Sequence, residues 1–224
     1  MAKKLILLAV AAIFMTQAAM AGEILAGRSG GATAPAKSIP WLIKPLLIDL
    51  LRAQNAAHAD LTQAEIDALD AQWRAERAGG ENPLISKVMS NPLSRFLMAL
   101  QQNSDGLFTE IFVMDSKGLN VGQSVLSDDY WQGDEAKWRK SFLAGSNARH
   151  IGEPEFVEAT GRYQAQLSMP IIDPENGSVI GAVTLGVDIS VIEMLTGCSP
   201  LSGKCGNKGN LIGALPAPHP IATL

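Results

Sequence analysis

Cysteine, histidine and aromatic side chains are all scarce here: two Cys, three His and 5% aromatics in 224 residues. So few Cys and His leave little material for a transition-metal site. Charge is sparse as well, with 18 basic and 22 acidic residues and a formal net charge of −4. Such a surface has no long-range pull on phosphate, so nucleic acid is not an expected partner. Catalytic signatures are also missing: there is no nucleophile elbow, Gly-rich phosphate loop, HExxH or CxxC. His58 and His150 have no nucleophile tied to them and read as surface or cap histidines. The adjacent acids Asp128-Asp129 and Asp134-Glu135 read as a solvated loop. No enzymatic activity, cofactor or metal is expected, although acids beside aromatics are also how glycosidases look.

What is present is a foldable chain. Hydrophobic residues make up 47%, too many for disorder at so small a net charge. The length suits one or two domains with a real core. Residues 1–21, MAKKLILLAVAAIFMTQAAMA, join two early lysines to an apolar run and close on Ala19-Met20-Ala21. That is the pattern of a cleavable secretory signal, too short and wrongly flanked for a membrane span. The apolar tail Leu211–Leu224 carries Pro216, Pro218 and Pro220, which break a helix. A soluble, periplasmic protein is therefore expected. Export puts Cys198 and Cys205 in an oxidising compartment, where they are expected to close a small disulfide loop.

Residues 22–40 are rich in Gly, Ala, Ser and Pro and read as a flexible leader. Residues 41–80 follow as an N-terminal helical segment. Leu42, Leu46, Leu50 and Ala53 recur at helical spacing, and Pro45 sits where a first turn tolerates it. Thr62-Gln63-Ala64-Glu65 spells a capping box, and Ile66, Leu69 and Trp73 form a stripe ending before Gly79-Gly80. Asn91 is the expected N-cap of a further helix with Pro92 at its first position. After Asp105-Gly106 the period becomes that of strands. LFTEIFVMD and LNVGQS flank the turn Ser116-Lys117-Gly118, and RYQAQLSMPII and SVIGAVTLGVDI flank Asp173-Pro174-Glu175-Asn176-Gly177. Short turns between consecutive strands imply an antiparallel sheet, and the class is α+β.

The unusual local composition lies at residues 127–138, where Tyr130, Trp131 and Trp138 sit among Asp128, Asp129, Gln132 and Asp134. Aromatic walls with a few fixed polar groups are how small-molecule pockets combine burial with orientation. The competing reading is that these aromatics cover one edge of the sheet.

IFVMDSKGLNVGQS, DDYWQGDEAKW and YQAQLSMPIIDPENGSVIGAVTLGVDIS together resemble the PDC or Cache family of extracytoplasmic, PAS-like sensor domains, over about residues 84–195. The resemblance implies a long N-terminal helix and a central antiparallel sheet of about five strands, with the helix on one face and the pocket on the other. It implies a single sensor domain at residues 81–196, followed at 197–224 by the disulfide-closed loop and Pro-rich tail. The implied pocket residues are Tyr130, Trp131, Asp134, Trp138, Tyr163, Ser168 and Asp188. Amino-acid-sensing members carry an Arg two residues before the helix tryptophan and a Tyr after it. Here Ala136 and Arg139 stand in those places, so α-amino-acid recognition does not carry over. Asp134 and Asp188 point instead to a cationic or neutral polar ligand, with Tyr130 or Trp131 offering a π face. Asp188 has a competing role as the cap of a helix starting near Ser190.

The expected function is a periplasmic domain that binds a small polar organic ligand. It would signal through a separate envelope partner such as a sensor kinase, chemoreceptor or cyclase. The alternative is a structural or interaction protein of the same fold, its pocket filled, forming a homodimer through its N-terminal helices.

Overall fold

A computed structural model describes residues 39–158 and 160–196, and beyond them 198, 199, 201, 204 and 205. The expected signal segment, most of the leader and the Pro-rich tail lie outside the described residues.

Proline and capping side chains divide the helical third. A 3-10 turn at Pro40–Ile43 leads into α1 (Pro45–Ala57), α2 (Gln63–Ala78), α3 (Pro83–Met89) and α4 (Pro92–Gln102). The capping box of α2 is formed, with the Glu65 N–H donating to Thr62 Oγ1 and the Thr62 N–H donating to Glu65. Asn91 caps α4 by accepting from the Ser94 N–H at 2.8 Å. Pro45, Pro83 and Pro92 all stand in first turns, where a missing N–H costs nothing. The resemblance implied one long helix; these stops break it into four.

Strands begin past Asp105 and Gly106, both at positive φ. They are β1 (Phe108–Met114), β2 (Asn120–Gln123), β3 (His150–Ile151), β4 (Glu155–Val157), β5 (Arg162–Ile172) and β6 (Val179–Asp188). All pair antiparallel in the order β2-β1-β6-β5-β3, and β4 also pairs with β5. The short β3 and β4 make it six strands where about five were expected. A four-residue helix, α5 (Ala136–Arg139), lies between β2 and β3, and α6 (Ile189–Thr196) follows β6.

Strand alternation gives the sheet two different faces. Leu47, Ile48 and Leu51 of α1 and Leu93 and Leu97 of α4 share one buried core with Val113, Leu167, Met169, Val183, Leu185 and Val187. On the opposite face a smaller cluster joins Phe112, Met114 and Ala182 to Trp138, with Phe142 packed against it. A third cluster sits beyond the β2 edge, where Ile66, Trp73, Leu84, Ile85 and Val88 of α2 and α3 enclose Leu119 and Tyr130.

A small hairpin ends the described chain: β7 (Cys198–Ser199) pairs with β8 (Lys204–Cys205), and Cys198 stands opposite Cys205. Directly opposed residues lie roughly 4.5–5.5 Å apart at Cα, within the roughly 4.4–6.8 Å that a disulfide spans. The cysteine side chains lie outside the described residues, and the disulfide remains an expectation.

Candidate functional site

The aromatic and acidic segment 127–138 divides among three places. Its first part is held by α2. Asp70 accepts from the Tyr130 and Trp131 N–H groups at 2.8 and 3.0 Å, and the Trp73 indole donates to the Ser127 carbonyl at 3.0 Å. Arg77 pairs with Asp128 at 2.8 Å, and Arg74 with Asp70 at 2.6 Å and more distantly with Asp129 at 3.9 Å. Tyr130 is buried and stacks on Trp73 with centroids 5.3 Å apart, and burial, then the Asp115 charge, pushes its phenol well up. Trp131 is half-buried, and its indole donates to the Lys117 carbonyl at 2.8 Å.

The last part of the segment crosses to the face of the sheet opposite α1 and α4, where it forms α5. Trp138 is buried there, stacked on Phe142 at 4.9 Å, and its indole donates to the Asp115 carbonyl at 3.1 Å. Lys137 lies over the Phe112 ring, 5.0 Å from its centroid, and pairs with Glu135 at 3.0 Å. Asp134 is exposed and lines a concavity of about 490 Å³ on the outer side of α5, with Ala136, Arg139, Lys140 and Leu143.

The β1–β2 turn links these groups to the N-terminal helix. Asp115 is fully buried, and its carboxylate accepts from the Lys117 and Leu119 N–H groups at 2.8 and 2.9 Å. It also meets Gln54 Nε2 at 3.0 Å and His58 Nδ1 at 2.7 Å. His58 ends α1 as a cap residue, as the sequence suggested, but it also reaches across to this buried acid. Arg52 grips the β5–β6 turn through Asp173 at 2.9 and 2.6 Å, and Asn55 bridges the Ile180 carbonyl and the Ser116 N–H.

Residues of like parity in β5 and their register partners line this face, opposite α1 and α4. Ser168 lies between His150 of β3 and Thr184 of β6, and its hydroxyl meets that of Thr184 at 2.9 Å. His150 thus belongs to a strand and not to a loop. Its imidazole is held below its ordinary value by burial first and by the Lys140 ammonium second. One step along, Gln166 faces Gly186, which in turn faces Glu110 of β1. With no side chain at Gly186, Glu110 lies across it and accepts from Gln166 Nε2 at 2.8 Å. Glu110 is half-buried and has no cationic partner among the described residues. The buried Thr109 hydroxyl, also over Gly186, has no hydrogen-bond partner among the described residues. At the end of the strip Gln164 faces Asp188.

Of the residues expected from sequence, Ser168 and Asp188 lie on this face and Trp138 packs over one end of it. Tyr163 is five residues from Ser168 in the same unbroken stretch of strand. It therefore points to the other face, where it is exposed and packs edge-on against Phe156. Asp188 is committed: it accepts from the Ser190 and Val191 N–H groups at the start of α6 and pairs with Arg162 at 2.8 Å. Burial opposes its charge, but these hydrogen bonds outweigh burial and hold the carboxyl below its usual range. Glu110, Thr109 and Gln166 were not singled out from sequence; the alternation of Gln164, Gln166 and Ser168 with Ala165, Leu167 and Met169 is the signal that could have found their face.

No family model matches this chain, and no curated protein matches it. Among solved structures it is similar to the ligand-binding domain of the Campylobacter jejuni chemoreceptor Tlp3 in complex with 4-methylisoleucine. That match has 15% identity, a TM-score of 0.36, and covers 72% of this chain and 67% of that one. It is also similar to the ligand-binding domain of the Pseudomonas aeruginosa PAO1 amino acid chemoreceptor PctC in complex with GABA, at 12% identity and a TM-score of 0.33, covering 60% and 56%. A third is the sensor domain of the V. cholerae histidine kinase DctB, at 15% identity and a TM-score of 0.33, covering 66% and 58%. The chain thus spans between 56% and 67% of the length of these three. By their names, two are ligand-binding domains of chemoreceptors and the third is the sensor domain of a histidine kinase. At these identities and scores the likeness is one of outline.

Proposed function

We propose that this chain is a small-ligand-binding sensor domain whose ligand sits on the face of the sheet opposite α1 and α4, against Glu110, Thr109 and Gln166. One observation carries the reading: a half-buried carboxylate without a cation lies beside a buried hydroxyl without a partner, both over Gly186. Buried polar groups are ordinarily satisfied, and a few convergent unsatisfied ones on a partly covered surface are what orient a ligand. Acceptors of this kind favour a donor-rich ligand, a cationic or neutral polar head group. Ser168, Asp188 and Trp138 frame this seat, while Tyr130, Trp131, Asp134 and Tyr163 have places outside it. The apolar, lysine-flanked residues 1–21 support a periplasmic location, from which occupancy passes to a separate membrane sensor.

The test is a thermal-shift screen of ligand-free mature protein against amines, polyols, amino acids and organic acids. A true ligand stabilises by about 2.7 kcal/mol at a hundredfold excess over Kd. Glu110→Gln and Gln166→Ala remove that shift without lowering the ligand-free midpoint much. No shift from any compound, or shifts that both variants retain, overturns the reading.

A second reading has its own observation. Tyr130 is stacked internally, and the indoles of Trp73, Trp131 and Trp138 all donate to backbone carbonyls. That pattern favours an interaction protein with a filled pocket, dimerising through its N-terminal helices. Light scattering that finds a strict monomer removes this version.

A further inference from the structure

The outer side of α5 carries chemistry of the opposite sign. Ala136, Arg139, Lys140 and Leu143 stand at intervals of three and four, and the backbone bonds from Arg139, Lys140 and Phe142 back to Glu135, Ala136 and Trp138 keep them on one face. That face lines the concavity of about 490 Å³ that also meets Asp134, a volume in the range of small-molecule sites. Arg139 and Lys140 are exposed and neither has an ion-pair partner among the described residues. The Lys140 ammonium also lies close enough to His150 to help lower its imidazole, after burial. Residues 136–152 hold Lys137, Arg139, Lys140 and Arg149 and no Asp or Glu, in a chain whose net charge is −4. Beside these cations Leu143 is 61% exposed, an apolar wall in the same recess.

We propose that the outer face of α5 is a second binding site, distinct from the sheet face, for a small organic anion with a short apolar body. The carboxylate or other anionic head is held by Arg139, whose planar fork suits two oxygens, and by Lys140 as a point charge. The apolar body lies against Leu143 and Ala136. Asp134 at the rim opposes the anion and sets an upper limit on affinity. The recess does not depend on the sheet-face site, because Trp138 and Lys137 occupy the inner side of the same helix.

Calorimetric titration of the mature protein with hexanoate tests this, with hexylamine and inorganic phosphate as comparisons. Hexanoate is expected to bind saturably and more weakly as salt is raised, while hexylamine does not bind. Arg139→Gln and Lys140→Gln each weaken hexanoate about fivefold or more, as loss of a charge-assisted hydrogen bond requires. Asp134→Asn tightens it, and Leu143→Ser weakens hexanoate but not phosphate. All four positions are exposed or at the rim, so circular dichroism should show each variant folded. Absence of saturable hexanoate binding, equal binding of hexylamine, or hexanoate binding unchanged in both cation variants overturns the site. Loss of hexanoate binding in Glu110→Gln with retention in Arg139→Gln would place the anion on the sheet face, and that also overturns it.

Discussion

Removing the Asp115 carboxylate should be among the most damaging single changes in the chain. Its side chain is 0% exposed and meets four donors: the Lys117 and Leu119 N–H groups, Gln54 and His58. Asp115→Ala leaves the buried Leu119 N–H without an acceptor, which costs about 1–3 kcal/mol. Lys117, Gln54 and His58 are better placed to find water, so their losses are smaller, and the sum comes to about 3–5 kcal/mol. Asp115→Asn is milder, because Oδ1 still serves the turn. Its new amide faces two donors, however, and loses charge-assisted bonds worth about 1.5–3 kcal/mol. Urea unfolding of both variants measures these values, and hydrogen exchange along α1 shows whether the helix loosens first. In a double-mutant cycle with His58→Ala, a coupling of at least ~0.5 kcal/mol is expected. A loss below ~1 kcal/mol in Asp115→Ala, or strict additivity with His58→Ala, would refute the idea that this carboxylate fastens α1 to the sheet.

Three further outcomes follow from the same geometry. Gly118 has φ of 87° and a Cβ there would lie 2.6 Å from the Gly133 Cα, so Gly118→Ala should cost about 2 kcal/mol or more by thermal unfolding; a neutral result would mean the two loops are not in contact. Asp70→Ala leaves the Tyr130 and Trp131 N–H groups unpaired and should cost about 1–3 kcal/mol, with faster exchange confined to residues 127–131. Asp173 is held below its usual range, chiefly by the Arg52 hydrogen bond, so its folded form stays charged where the unfolded carboxyl, near pH ~3.9, protonates. Its contribution is therefore complete above that value and lost as the pH falls further; Arg52→Gln should flatten the decline in urea midpoint between about pH 5 and about pH 3, and an unchanged slope would count against the clamp.

The parts of the structure that could be read from sequence are those governed by neighbours in the chain. The capping box at Thr62, the Asn91 cap, the two hairpins and the Asp188 cap of α6 all depend on residues within a few positions of one another. The division of the candidate pocket did not follow the same rule. Tyr130 and Trp131 are adjacent to the acids of their loop, yet their surroundings are set by Asp70 and Trp73, some sixty residues earlier. Nothing local marks Asp70 as the acceptor for that loop. Parity, by contrast, was available: Tyr163 and Ser168 differ by an odd number, and a strand cannot show both on one face. A stricter use of the period would have replaced Tyr163 with Gln164 or Gln166, the residues that meet Asp188 and Glu110 across the sheet.

Charge shows the same limit, and here it bears on what the protein binds. Counted along the chain, residues 128–135 are an acidic loop, and an acidic loop favours a cation. In the fold Asp128 is paired with Arg77, Asp129 lies 3.9 Å from Arg74 and Glu135 pairs with Lys137, so three of the loop's four acids have a cation beside them, two of them through a helix distant in sequence. Glu110, on a strand that composition gave no reason to inspect, is a half-buried carboxylate with no cation beside it among the described residues. Arg139 and Lys140, immediately after the acidic stretch, likewise have no acid paired with them among the described residues. An ion pair at the surface contributes little to stability, typically under ~1 kcal/mol, but it cancels the field that a ligand would feel. A ligand feels the charges that folding leaves unpaired, and the two proposed sites rest on such charges: Glu110 on the sheet, and Arg139 with Lys140 on the outer side of α5.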